Sequence, residues 1–296
     1  MNGAEIKDLR LKMAASTQIK NCLNTLLRPL NVRLDTWTAQ DRERERLCAL
    51  QARGGLDQAC YALSPSMKRF DGALLAHAYV TRREGLARLN DPSRNATGYH
   101  PDNAYFTTPD AEVLYLLVRS LQPRRVVEVG CGNSTRIIRQ AIMDEDLPTH
   151  LVAIDPNPRV DIVSLVDRFE RRRLEEVDDT QLFESLERND ILFIDSSHQV
   201  AVGNDVAHLF CKIMPLLKEG VVIQVHDVFL PYDYPAALAL EHSHWGEQYV
   251  LHAMIHGRGC EVIWPGYHVQ RNRPDLHDSL PFITEGRAQS FWFRWN

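Results

Sequence analysis

Between residues 110 and 225 the chain switches repeatedly between two hydrophobic patterns. Short, nearly continuous apolar runs, "RRVVEVG", "HLVAID", a weaker "RRRLEEV", "DILFIDSS" and "GVVIQVHD", predict strands. Stretches with apolar positions every three or four residues predict helices. These are "DAEVLYLLVRSL", "STRIIRQAIMDE", "VDIVSLVDRF", "TQLFESLE" and "DVAHLFCKIMPLLKEG". Strands apolar on both faces, alternating with amphipathic helices, predict a parallel sheet covered on both sides. Near the end, "GCEVIWPG" and "QSFWFRW" read as two more strands with no good helix between them, which suits an antiparallel edge. The expectation is an α/β, doubly wound, seven-stranded sheet, mostly parallel with an antiparallel C-terminal strand.

Residues 1–100 carry a different pattern. "QDRERERLCALQARGGLDQACYALS" and "DGALLAHAYVTRREGLARL" read as helices, the first broken at Gly54–Gly55. "NDPSRNATGYHPDNAYFTTPD" has the Pro, Asn, Asp and Gly content of a long loop. The expected organisation is a helical cap or extension over 1–100, available for homodimer formation, followed by the sheet domain over 101–296.

Composition narrows the partners. The net charge of −5 over 296 residues offers no global attraction to nucleic acid or an anionic membrane. No apolar run approaches the ~20 residues of a membrane span. The N-terminus has no apolar core of a signal peptide, and the six cysteines have no C-x-x-C spacing. A cytoplasmic protein with reduced thiols is expected.

The candidate chemistry begins at "VVEVGCGNST". Gly130 and Gly132 suit a tight strand-to-helix turn that a ligand approaches closely, with Asn133 or Ser134 capping the helix. Glu128 precedes the turn, and Asp155 ends the next strand, where a carboxylate accepts the hydroxyls of a ribose. A dinucleotide fingerprint would have a small third residue where Thr135 stands, and Glu128 would oppose a pyrophosphate. A nucleoside bearing a sulfonium and an ammonium, S-adenosyl-L-methionine, fits better.

The E-x-G-x-G turn, "AIDP", "DILFIDSSH" and the final antiparallel pair together resemble class I S-adenosylmethionine-dependent methyltransferases, which are Rossmann-like. The runs "DILFIDSSHQVAVGNDV", "LLKEGVVIQVHDVFLPYDYP", "WGEQYVL" and "SFWFR" are similar to a bacterial small-molecule branch of that superfamily. The resemblance covers roughly residues 100–296. It implies methyl transfer to an oxygen or nitrogen of a small acceptor, such as a sugar or secondary metabolite, with S-adenosyl-L-homocysteine as product. Glu128, Gly130, Gly132, Asn133, Ser134, Asp155, Asp195 and Ser196 are the expected cofactor contacts.

In an open α/β sheet ligands bind beyond the carboxyl ends of the strands. Asp195, His226 and Asp227 lie at such ends, so the pair that closes "GVVIQVHD" is expected to rim a cleft. Three roles are open to His226: a general base near its ordinary pKa, a ligand of a divalent metal with Asp195 and Asp227, or a loop-shaping group. The base is favoured over the metal, because a histidine replaces an expected oxygen ligand. His198 and Asp227 complete the catalytic candidates, and Glu247 and Gln248 are within conceivable reach of the cleft. His252 and His256 have the i,i+4 spacing of zinc helices but no H-E-x-x-H, and read as ordinary histidines. The competing functions are a changed reaction of the same cofactor (cyclisation or alkyl transfer), a metal-dependent O-methyltransferase, a non-catalytic scaffold, and an NAD-dependent oxidoreductase.

Overall fold

The computed structural model describes residues 18–32 and 39–296. The chain divides into two compact units. One holds the described residues up to Gly55 with Ala236–Ser243, and the other holds Leu56–Pro235 with His244–Asn296. The first unit contains the helix Ala39–Gln51, which ends before Gly54–Gly55 as its sequence predicts. Helix α1 (Ala73–Leu89) sinks Leu75, Ala78, Leu86 and Leu89 into the same core cluster as the sheet strands. No described helix is long and apolar enough to cross a membrane.

The second unit is built on a seven-stranded sheet: β1 (Arg125–Val129), β2 (His150–Ile154), β3 (Arg168–Glu170), β4 (Ile191–Ile194), β5 (Val222–Val225), β6 (Glu261–Pro265) and β7 (Phe291–Arg294). The order is β3-β2-β1-β4-β5-β7-β6. The first five strands pair in parallel, and β7 enters antiparallel between β5 and β6. The doubly wound, mostly parallel architecture is therefore present as expected. The strand order reverses between β1 and β4, which makes their carboxyl ends the place for a ligand.

Three local expectations need correction. The third strand is Arg168–Glu170, whereas "RRRLEEV" forms a 3-10 turn over Leu174–Glu176. Its apolar residues, Leu174 and Val177, are three apart and both buried, a spacing that matches a turn and not an alternating strand. "VDIVSLVDRF" holds only the short 3-10 turn Val163–Leu165 before that strand. Between β6 and β7 lies a helix of its own, Gly266–Asn272.

The strand period of two decides which side chains meet. Val126, Ile191, Phe193 and Val222 join one core cluster. Val127, Val129, Leu192, Ile194, Ile223 and Val225 join the other. Helices α1, α2 (Asp110–Leu121) and α3 (Asn133–Asp144) contribute to the first cluster. Glu128, Asp195 and His226 continue the parity of Val126, Phe193 and Val222. All three therefore project on the face that α2 and α3 cover.

Candidate active site

The glycine turn joins β1 to α3. Gly130 has φ 80° and its amide donates to Ile154 O. A Cβ there would come within 1.9 Å of Asp195 O, so close approach of β4's end demands glycine. At Gly132 a Cβ would meet nothing nearer than Val160 Cγ2 at 3.9 Å. The second glycine thus leaves open space above the turn, where a ligand can approach the backbone.

Glu128 is fully buried beneath this turn. It accepts hydrogen bonds from Ser134 Oγ (2.6 Å) and Thr135 Oγ1 (2.7 Å), and Thr135 Oγ1 accepts from the Gly132 amide. Burial pushes its carboxyl up to about 8, against the two hydroxyls, which favour the charged form. Glu128 and Ser134 are therefore occupied with each other, holding the turn from below. Asp155 supports it from the side: Oδ2 accepts from Cys131 N (2.9 Å) and Oδ1 from Asn157 N (2.7 Å).

A cavity of about 440 Å³ opens at the β1/β4 reversal. Gly130, Pro156, Leu174, Asp195 and Ser196 are among the residues that line it. That volume is in the range of small-molecule sites. A narrower recess beside it is bounded by Tyr105, Phe106, Gly132, Asn133, Ser134 and Asp195. Asn103, which no local signal in the sequence singles out, organises the rim of this recess. Its Oδ1 accepts from the amides of Tyr105 and Phe106 and from Asn133 Nδ2. Phe106 is buried and packs against Phe193 and the His226 ring, whose centroid lies 4.9 Å away.

Beyond Asp195 the carboxyl ends of β4 and β5 bring six ionisable side chains together. Asp195 Oδ1 lies 3.4 Å from His198 Nε2 and 3.7 Å from His226 Nδ1. Asp227 Oδ2 lies 3.3 Å from His198 Nε2 and 3.8 Å from His226 Nδ1. Each histidine is backed by a buried acid on its far side. Glu247 Oε2 is 3.0 Å from His198 Nδ1. Asp110 Oδ2 is 3.7 Å from His226 Nε2, beyond hydrogen-bond reach, and that nitrogen has no hydrogen-bond partner. Asp110 is itself fixed by the amides of Gln289 (2.8 Å) and Ser290 (3.1 Å), just before β7.

The charges follow from this geometry. Burial alone would lower the pKa of His198, but contact with Asp195 and Glu247 and the charge of Asp227 raise it to about 10. Burial is likewise overcome at His226, where Asp227, Asp110 and Asp195 hold the ring well above its ordinary value. For Asp195, burial would raise the pKa, yet the two imidazolium rings hold it well below the usual carboxylate range. Neither histidine therefore has the ordinary pKa of a free imidazole, which the sequence reading assumed for His226.

Sequence position put Asp195, His226 and Asp227 forward as a metal set. Among the described residues the donor atoms that converge are those of Asp195, His198 and Asp227, all within 4.8 Å of one another. Their nitrogen-and-carboxylate chemistry suits a divalent cation, and the Glu247 contact on the other ring nitrogen is the usual support for a ligating histidine. His252 and His256 meet with tilted rings along helix α4 (Glu247–Arg258) and belong to no such group among the described residues. Ser196 lines the cavity and donates to Glu247 Oε1 (2.9 Å). Gln248 turns away to accept from Phe229 N. Asp110 escapes a reading of the sequence because an acid at a helix start is common, and nothing local says that it meets a residue 116 positions later.

Residues 127–228 match a family model described as a methyltransferase domain. No curated protein matches the sequence. Similar solved structures include one titled "cmcI-D160 Mg-SAM", at 18% identity over 49% of this chain and 61% of that one, TM-score 0.33. The chain thus spans less than two thirds of that relative's length. A second is the methyltransferase PaMTH1 of Podospora anserina bound to SAH, at 14% identity over 89% and 99%, TM-score 0.38. A third is an O-methyltransferase from Bacillus cereus in complex with SAH, at 17% identity over 80% and 83%, TM-score 0.33.

Proposed function

We propose that the chain, whose residues 127–228 match a methyltransferase domain and whose sheet is doubly wound, binds S-adenosylmethionine and transfers its methyl group to an oxygen or nitrogen of a small molecule. One observation carries the reading. Asp195 lines the cavity at the strand reversal and also touches both acid-backed histidines. The cofactor cleft and the proton-handling cluster therefore share a wall.

In this reading the adenosine occupies the cavity, Asp155 takes the ribose hydroxyls, and Gly130 and Gly132 let the methionine end pass close to the turn. Asn133 and Ser196 contribute polar contacts at the two ends of the cleft. The acceptor's lone pair attacks the methyl carbon, the carbon–sulfur bond breaks, and its electron pair stays on sulfur to give S-adenosylhomocysteine. The acceptor's proton passes to an imidazole. His198 is favoured over His226, because its Nε2 stands in the Asp195–Asp227 gap while His226 is stacked under Phe106. Methyl transfer is chiefly a matter of alignment and exclusion of water, so no protein nucleophile is required. Asp195, His198 and Asp227 would hold a divalent cation if one binds, and it would supply positive charge at the acceptor atom.

The test is direct. Purified protein is given S-adenosylmethionine labelled in its methyl group with a panel of hydroxyl- and amine-bearing compounds. Label should move to a compound, and His198→Ala should abolish the transfer while calorimetric cofactor affinity is retained. Failure to bind the cofactor would overturn the reading. Cofactor binding without transfer to any hydroxyl or amine would point to a changed reaction or a scaffold.

A further inference from the structure

The acid behind His198 takes no direct part in the transfer, yet both oxygens of its carboxylate are engaged. Glu247 is 1% exposed and is the first residue of α4. One carboxylate oxygen meets His198 Nδ1 at 3.0 Å, and the other accepts from Ser196 Oγ at 2.9 Å. The same serine hydroxyl accepts from the His198 amide at 3.0 Å. The His198 carbonyl in turn accepts from the amides of Gly246 (2.8 Å) and Glu247 (3.2 Å). His198 has φ 59°, a backbone state that a histidine adopts rarely, and this ring of bonds holds it there. Trp245 covers one face of the imidazole at 4.4 Å.

Building on the methyl-transfer reading, we propose that Glu247 is a positioning residue that makes Nε2 the working nitrogen of His198. With Nδ1–H committed to Glu247, the ring cannot flip, and Nε2 alone faces Asp195 and Asp227. Whatever His198 does, whether accepting a proton or ligating a cation, it does through Nε2. The logic is that of a carboxylate behind a catalytic imidazole, where replacing the acid by its amide leaves the shape intact but presents the wrong nitrogen. The asymmetry with the other pair supports it: Asp110 stands 3.7 Å from His226, too far to fix that ring by a hydrogen bond.

The experiment has one arm that needs no turnover. In protein labelled with 15N-histidine, the Nδ1 proton of His198 should appear as a far-downfield resonance, absent in His198→Ala and in Glu247→Gln and present in His226→Ala. In the kinetic arm, with the acceptor that the compound panel identifies, Glu247→Gln should lower kcat by about 10²–10⁴-fold. Its cofactor Kd should stay within about twofold, and Glu247→Asp should recover part of the rate. A folded Glu247→Gln with near-normal kcat would overturn the proposal, as would a wild-type protein lacking the downfield proton. Should Glu247→Gln not fold, the wild-type resonance and the Glu247→Asp rate decide it. A wild-type protein that shows the resonance but transfers no methyl group would sink the methyl-transfer reading instead.

Discussion

Gly130 stands against the backbone carbonyl of Asp195, so tightly that a Cβ would approach that oxygen to 1.9 Å. Gly132, two residues on, has no such neighbour. The two glycines of one turn should therefore fail differently. Gly130→Ala adds a clash with backbone to an unfavourable φ, and should destabilise the sheet unit by at least about 2 kcal/mol in chemical denaturation. Gly132→Ala should unfold within about 1 kcal/mol of wild type and instead lose cofactor affinity in calorimetry. Equal losses of stability in both would contradict the open space assigned to Gly132.

Glu128 gives stability a pH dependence of definite sign. Its folded pKa of about 8 lies above the ordinary 4.5, so the folded state holds the proton more tightly than the unfolded chain. The contribution is fully present below about 4.5 and is lost as pH rises through 8. Between those limits stability falls by up to roughly 1.4 kcal/mol for each step of one in pH. His198 acts in the same direction at higher pH, its contribution being present below 6.5 and lost as pH rises through about 10. Glu128→Gln should flatten the fall in stability between about pH 5 and about pH 8 that urea titrations read. An unchanged slope would remove Glu128 as its source.

Asp155 is expected to hold the ribose. Asp155→Ala should weaken S-adenosylmethionine binding by about 1.5–3 kcal/mol, the worth of charged hydrogen bonds. Part of that loss would come through the Cys131 amide, which Asp155 also holds. Asp155→Asn, which keeps an oxygen for that amide, separates the two effects. Wild-type affinity in both variants would take the ribose away from this residue.

A base must be neutral, and His198 is held protonated up to about 10. The turnover rate should therefore climb with pH across the neutral and alkaline range and level off near that value, even as stability declines. His226→Ala should keep this profile, whereas His198→Ala should lose it. Chelator should leave the rate unchanged if His198 works as a base alone. Activity lost to chelator and restored by a divalent cation would make His198 a ligand with Asp195 and Asp227.

Apolar runs and periodicity were sufficient for the sheet, its parallel majority and the helices at Ala73–Leu89, Asp110–Leu121 and Asn133–Asp144, because each is set by residues adjacent in the chain. The same local signals placed Gly130 just after β1 and Asp155 just after β2, since strand ends follow from strand positions. They failed where pairing between distant segments decides. Arg168–Glu170 is a strand because β2 supplies its partner, whereas "RRRLEEV" has none. Asp110 and Glu247 reach the histidines from separate helices, and no spacing in the sequence records that meeting. The charge state of His226 was likewise beyond the sequence. An imidazole's pKa depends on what surrounds it, and the sheet's tertiary packing brings three carboxylates to this one.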